Sequence, residues 1–374
     1  MKFRFDEIAF NSTLKKKPVE EDKIHYIGLE HIEPGNFSIT EWGSDVAPVG
    51  EKLIMKKGDI LFGKRRAYQR KVAIAPFDGI FSAHGMVLRP KTDVIDADFF
   101  PLFISSDTFM ETAMRISVGG LSPTINWKDL KEQEFELPSL EEQQTIAKKA
   151  WAAYRLKEAY QRLLSATDEM VKSQFIEWFG NVTETTSLSS LIAESYPGEW
   201  GKEAKNNNGV KVLRTTNFQN NGHIDYSDVI VRYIEQKKIE KKCLRTGDII
   251  LERSGGTKDN PVGRVVLFEA EGEYMFNNFT QLLRPIKSVN PYYLFFYLHT
   301  SYNADKASMR AMASQTTGIQ NLNMTDYMAK EIPLPSLEEQ EQFERLYRQA
   351  DKSKFELKRA IEAIDKVIKS LING

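Results

Sequence analysis

Seven consecutive residues, Leu137-Pro138-Ser139-Leu140-Glu141-Glu142-Gln143, recur unchanged 197 positions later as Leu334-Pro335-Ser336-Leu337-Glu338-Glu339-Gln340. A repeat of that length means that one folding unit is present twice, which constrains the fold more than any composition figure. The flanks agree, with Asn126 falling on Asn323 and Ser117 on Ser314. Upstream, Gly58-Asp59-Ile60-Leu61 matches Gly247-Asp248-Ile249-Ile250 after 189 residues, and Leu88-Arg89-Pro90 matches Leu283-Arg284-Pro285 after 195. The second copy is therefore shorter early and longer in its middle loops. Earlier still, Tyr26-Ile27-Gly28-Leu29-Glu30-His31-Ile32 resembles Val212-Leu213-Arg214-Thr215-Thr216-Asn217-Phe218.

Each copy ends in a stretch that reads as a long helix. Ser139 and Ser336 are placed as N-caps with Glu142 and Glu339 at the third helical position, so each pair can satisfy free backbone N–H groups reciprocally. Apolar residues follow on alternating three- and four-residue steps. The first seam is read as Ile146, Lys149, Ala153, Leu156, Tyr160, Leu163, Thr167 and Met170. The second is Phe343, Leu346, Ala350, Ser353, Leu357, Ala360, Ile364 and Val367, in the same frame. Such seams predict two helices of about 35 residues, roughly 50 Å each, paired antiparallel. Lys149 and Ser353 mark either the end of tight pairing or a surface offered to another subunit. The helices are expected to end near Phe179-Gly180 and Asn373-Gly374. The expected partition is 1–136, a first domain; 137–180, a long helix; 181–332, a second domain; and 333–374, a second long helix. Each domain body reads as mixed α/β, with β-rich runs at Lys71–Ala75 and Arg264–Phe268. Aromatic stretches at Phe99–Phe103 and Tyr292–Phe296 read as buried helices.

The net charge of −1 does not announce a polyanionic partner, so the position of the charges matters. After Gly58-Asp59-Ile60-Leu61-Phe62-Gly63 comes Lys64-Arg65-Arg66-Ala67-Tyr68-Gln69-Arg70-Lys71, in which five of eight residues are cationic. Such a loop can neutralise phosphates, and Arg and Gln offer bidentate donors to base edges. At the matching place the second copy carries Arg253, Ser254, Gly255, Gly256, Thr257, Lys258 and Asn260, then Arg264. The paired glycines let backbone amides approach a phosphate closely. The scaffold repeats while the exposed loop chemistry does not, as two readers of different sequences require. Further candidates are Ser82, His84 and Thr124 in the first copy, and Asn277, Asn278, Gln281, Gln315 and Thr316 in the second.

Catalytic patterns are expected to be absent. Asn290-Pro291-Tyr292-Tyr293 lacks the second proline and the Gly-rich cofactor loop of an amino-methyltransferase, and it aligns with the start of the first aromatic helix. Ser254-Gly255-Gly256-Thr257-Lys258 lacks phosphate-loop spacing. The five histidines show no metal-ligand spacing, and a lone Cys243 excludes an internal disulfide. No apolar run reaches the roughly 18 residues of a membrane span, and the first residues lack a secretory core, so a cytoplasmic protein is expected.

Carried by the duplicated Leu-Pro-Ser-Leu-Glu-Glu-Gln, the Gly-Asp-Ile-Leu/Ile strands and Leu-Arg-Pro, the chain resembles specificity (S) subunits of type I restriction–modification enzymes along its whole length. The resemblance implies an α+β fold: two mixed α/β target recognition domains in pseudo-twofold repeat, with two long antiparallel coiled-coil helices. It implies a non-catalytic subunit in which each domain reads half of a bipartite site in double-stranded DNA. The helices would set the spacing and dock two methyltransferase subunits, on which S-adenosylmethionine is bound, and restriction (R) motor-nuclease subunits can join. By that likeness Lys64 to Lys71 and Arg253 to Arg264 would contact DNA. A self-sufficient methyltransferase or nuclease, and a coiled-coil scaffold without a DNA role, are the competing readings.

Overall fold

The computed structural model describes residues 1–204, 209–257, 259–316 and 318–373. By internal contacts it divides into two compact units. The first holds Met1–Arg162 together with residues from Leu357 onward, and the second holds Leu163–Glu356. Each long helix therefore contributes one part to each unit.

Strands of the first unit are β1 (Lys2–Arg4), β2 (Ala9–Ser12), β3 (Lys15–Lys16), β4 (Tyr26–Ile27) and β5 (Lys52–Met55), followed by β6 (Ile60–Phe62), β7 (Val72–Ile74), β8 (Gly79–Phe81), β9 (Met86–Pro90) and β10 (Glu134–Glu136). They form sheets in the orders β2-β9-β6-β7 and β3-β5-β8-β4, with β1 paired to β10. The central strand β6 is buried at every position, as a strand covered on both faces must be. Its Ile60 and Phe62 pack toward the aromatic helix Phe99–Ser105, while Leu61 faces a second cluster with Ile27, Leu53 and Phe81. This is the period-two alternation of a strand.

The second unit repeats the plan. Its strands are β11 (Thr185–Ser187), β12 (Ile192–Pro197), β13 (Lys202–Glu203), β14 (Val210–Leu213) and β15 (Ile230–Tyr233). They continue as β16 (Ile249–Glu252), β17 (Ser254–Gly255), β18 (Val265–Leu267), β19 (Tyr274–Phe276), β20 (Thr280–Pro285), β21 (Ala313–Thr316), β22 (Ile319–Leu322) and β23 (Glu331–Pro333). Sheet β12-β20-β16-β18 reproduces β2-β9-β6-β7, and β11-β23 reproduces β1-β10. The isolated bridges Arg65–Thr124 and Val118–Thr124 of the first unit are extended here into the three-stranded sheet β17-β22-β21. The second aromatic helix spans Pro291–Ala304; Asn290 caps it, accepting from the backbone N–H of Tyr292 and Tyr293. Asn290-Pro291-Tyr292-Tyr293 is thus a helix start packed in a core, as expected.

The long helices run over Leu140–Phe179 and Leu337–Asn373, without Gly or Pro inside. Both capping boxes form: Glu142 accepts from the backbone N–H of Ser139 at 2.9 Å, and Glu339 does so from Ser336 at 2.9 Å. In the second unit the helix segments pair antiparallel, since Asp168 meets Lys354 while Phe175 meets Phe343. The expected seams need correction. Ile146, Ala153, Tyr160 and Thr167 are partly buried as read, but Lys149, Leu156, Leu163 and Met170 are exposed. Their neighbours Ala150, Lys157, Leu164 and Val171 turn inward instead. In the second helix Tyr347, Lys354, Ile361 and Ile368 likewise turn inward and Ser353 and Val367 are exposed, whereas Leu346 and Ala360 stay half-buried as read. The alternation starts with a four-residue step. Two lysines hid it, because Lys157 and Lys354 lay their stems along the seam and send their ammonium groups to Asp365 (2.6 Å) and Asp168 (2.9 Å). Those positions are equivalent in the repeat, 197 residues apart for both members.

Candidate nucleic-acid interface

The duplicated motifs turn out to build the scaffold. Asp59 accepts two bonds from Arg89, at 2.5 and 2.8 Å, and one from the backbone N–H of Lys56 at 2.8 Å. Asp248 does the same with Arg284, both at 2.8 Å, and with the N–H of Arg245 at 2.7 Å. Gly-Asp-Ile and Leu-Arg-Pro are thus two halves of one buried ion pair that ties β6 to β9 and β16 to β20. The last residue of the seven-residue repeat is equally structural. The buried amides of Gln143 and Gln340 accept from the N–H groups of Asp96 and Asn290 and donate to the carbonyls of Pro138 and Pro335. They lock each long helix to the turn before its aromatic helix.

On this frame the loop after β6 is held in an unusual shape. Arg66 and Arg70 have φ of 56° and 53°, a left-handed conformation that costs a non-glycine residue about 1 kcal/mol. Both are held by hydrogen bonds, from the N–H of Arg66 to the Pro123 carbonyl (2.7 Å) and of Arg70 to the Ala67 carbonyl (2.8 Å). Between them a short turn, Ala67–Gln69, carries Tyr68, 54% exposed. Strain of this kind gathers at functional sites. Arg65 is exposed, bonded through its N–H to the His84 carbonyl, with its guanidinium 3.4 Å from His84 Nε2. The Arg66 side chain donates to Ser122 Oγ at 3.3 Å, and Thr124 lies against Arg65 as a β-bridge. Lys64 is half-buried, its carbonyl accepting from Ile125. Burial, and then the charge of Lys15, lowers its pKa. Gln69 is partly buried.

Arg70 and Lys71 stand apart. Arg70 reaches the Ser105 carbonyl and pairs with Asp107, while Lys71 donates to the Leu29 carbonyl at 2.6 Å. In the second copy Arg264 occupies the place of Lys71 and donates to the matching carbonyl of Thr215 at 3.4 Å. Arg264 is further fixed by buried Glu252 at 2.6 Å. These cations brace the short turn between β4 or β14 and the following loop.

The second loop is built differently. Ser254 and Gly255 form strand β17 against β22, and Ser254 Oγ donates to Asn321 Oδ1 at 2.7 Å. Gly255 and Gly256 have φ of 111° and 64°. A Cβ on Gly256 would come within 2.8 Å of Gln320 Oε1 and of the Val262 nitrogen, so glycine is required there. Arg253 donates to Gln281 Oε1 at 3.3 Å, and Gln281 in turn donates to Ser195. Thr257 and Asn260 bond each other, and Lys306 donates to Asn260 Oδ1. Lys258 and the side chains of Gln315 and Thr316 lie outside the described residues. Asn277 is buried with no partner for its Oδ1, Asn278 is exposed, and Ser82 is buried, accepting from the His84 N–H.

Sequence reading missed Ser122, which reaches the first loop from a bend, and Gln320, Asn321 and Lys306, which reach the second from a strand and a helix far along the chain. Only the repeat hinted at them, since Thr124 and Asn321 are equivalent positions. Among the described residues no group of three or more His, Cys, Asp or Glu could hold a metal ion, and no helix is long and apolar enough to cross a membrane.

Comparison with known proteins agrees with this geometry. Residues 3–154 and 194–364 match the family described as type I restriction modification DNA specificity domain. The type I restriction enzyme EcoDI specificity subunit of Escherichia coli is 28% identical over 202 residues, 52% of this chain and 41% of that protein, so the match spans under half of that relative's length. Among solved structures, a type I restriction–modification S subunit from M. genitalium superposes with a TM-score of 0.60 at 13% identity, over 100% of this chain and 94% of that one. A chain from a study of complex assembly and conformational transition of the type I R-M system gives 0.57 at 17% identity, covering 100% and 96%. At such identities the structural likeness concerns the fold, while the sequence match covers most of the chain. The chain belongs to the type I restriction modification DNA specificity family.

Proposed function

We propose that this chain is the sequence-reading, non-catalytic subunit of a type I restriction–modification complex acting in the cytoplasm, and that each copy reads one half of a bipartite site in double-stranded DNA. One observation carries the reading: identical scaffold devices, the Asp–Arg pair, the capped helix and the buried Gln, present different exposed groups in the two copies. The first presents Lys64, Arg65, Arg66, Tyr68 and Gln69 around His84, Ser122 and Thr124. The second presents Arg253, the Gly255-Gly256 backbone, Thr257 and Asn260 beside Asn321 and the buried Ser254 and Gln281. Arg and Gln fit guanine and adenine edges, each good pair giving about 1–3 kcal/mol of discrimination, while lysines and glycine amides fit phosphates. Arg70, Lys71 and Arg264 support the loops from behind.

The long helices, about 60 and 55 Å by residue count, serve as the ruler for the gap between half-sites and as the docking surface for two methyltransferase subunits. Adenine modification and S-adenosylmethionine belong to those partners, and motor-nuclease subunits join them in a restricting assembly. The test is to express the chain with its methyltransferase partner and map methylated adenines across a genome. Wild type returns two half-sites at a fixed spacing. Arg65→Ala with Arg66→Ala relaxes or abolishes one half only; equal damage to both halves contradicts the one-copy-one-half reading. Turnover of labelled S-adenosylmethionine, or of plasmid with Mg²⁺, by the chain alone contradicts the non-catalytic reading.

A further inference from the structure

His84 stands in a group of cations that the two copies do not share. It is exposed in the turn between β8 and β9, bonded through its carbonyl to the N–H of Arg65 at 3.2 Å. The charged groups facing it are Arg65 and Lys64 from the loop after β6 and Lys52 from β5, with Lys15 of β3 next to Lys64. The ammonium of Lys52 is anchored only on the carbonyls of Val49 and Gly50. Among the described residues no carboxylate lies within ion-pair distance of Lys15, Lys52, Lys64 or Arg65. Uncompensated positive charge on adjacent strands is a binding surface for an anion.

The repeat supplies an internal control. Ser254 of the second copy bonds through its N–H to the carbonyl of Phe279 at 3.0 Å, as Arg65 does to that of His84. Phe279 therefore occupies the place of His84, and Ser254 that of Arg65. The second copy has no titratable group at that point.

We propose that Lys15, Lys52, Lys64, Arg65 and His84 form one cluster for a DNA phosphate, in which His84 takes up a proton as the phosphate arrives, and that the second copy binds DNA without this proton. The inference rests on the DNA-reading proposal above and deepens it. In the free protein, burial first, then Arg65, Lys64 and Lys52, hold the His84 pKa below its ordinary value, so the ring is neutral near pH 7. A phosphate brings the missing negative charge, and the protonated ring then donates to it. Binding takes up a proton between the lowered free value and the raised bound value, so affinity falls as pH rises through that window.

The test measures binding of random-sequence duplex DNA to the full chain at pH values from about 5.5 to 8, where histidine titrates. Wild type is expected to lose affinity with rising pH, by up to about tenfold per pH unit for one proton. His84→Phe, which copies the second unit, and His84→Gln, which keeps a polar ring-sized group, should both flatten the profile and match wild type at the alkaline end. A slope that persists in both variants, or a flat wild-type profile with salt-sensitive binding intact, overturns the proposal. If no salt-sensitive DNA binding occurs at any pH, the DNA-reading proposal itself falls, and this one with it.

Discussion

Replacing Asp248 by Ala should open the second unit selectively. The Asp248 side chain is 2% exposed and that of Arg284 10%, so neither charge can recover water when its partner is lost. The substitution removes two charge-assisted bonds from Arg284 and the acceptor of the Arg245 N–H. It leaves the guanidinium with Glu194 and the Cys243 carbonyl alone. Breaking such a pair costs about 3–5 kcal/mol when the remaining charge is left without a partner, and the Glu194 carboxylate that Arg284 keeps places the loss at the lower end of that range. Asp59→Ala, its counterpart, should cost roughly 2 kcal/mol, because Arg89 is 29% exposed and water can replace part of what is lost. Hydrogen exchange read by mass spectrometry separates the two, with peptides over 249–252 and 280–285 reporting one unit and 60–62 and 86–90 the other. Asp248→Ala should lower the opening free energy of the first set and spare the second. Asp248→Ala with Arg284→Met should recover at least about 1 kcal/mol, since removing both charges removes the penalty. A loss below about 1 kcal/mol, an equal loss in both units, or no recovery in the double variant would refute the reasoning.

Met170→Asp should change stability by less than about 0.5 kcal/mol, whereas Val171→Asp, one residue on and 3% exposed, should cost about 3 kcal/mol or more by urea denaturation. Lys157→Asp should cost about 1 kcal/mol, recovered when Asp365→Lys is added, as thermal melts of the single and double variants will show. Arg66→Gly should raise stability by about 0.5–1 kcal/mol, relieving the φ of 56°, while weakening DNA binding in a salt-dependence assay. Glu142 and Glu339 have lowered pKa values, Glu142 mainly through the Ser139 backbone N–H and Glu339 mainly through the Ser336 hydroxyl. Their stabilisation is therefore complete above the ordinary glutamate value and fades as pH falls through the lowered one; circular dichroism of Glu142→Gln with Glu339→Gln should lose that acid-side step.

What was legible in the sequence was whatever depends on short spans or on repetition. The helix starts at Ser139 and Ser336 follow from a four-residue cap, the aromatic helices from their apolar runs, and the doubling of the unit from identity at fixed offset. The roles of Gly-Asp-Ile and Leu-Arg-Pro were not legible, since Asp59 and Arg89 meet only when β6 pairs with β9. The basic loop read as a single strip of cations, yet Lys71 braces the Leu29 carbonyl, Arg70 holds Asp107 and Lys64 is half-buried, while Arg65 and Arg66 stay at the surface. Charge is a property of the residue, but availability is a property of its neighbours. The helical seam shows the same division. Periodicity announced two long amphipathic helices, but two stripes one residue apart competed, and only packing against Phe175, Phe343 and Tyr347, with two lysines reaching aspartates across the seam, decided which one faces inward.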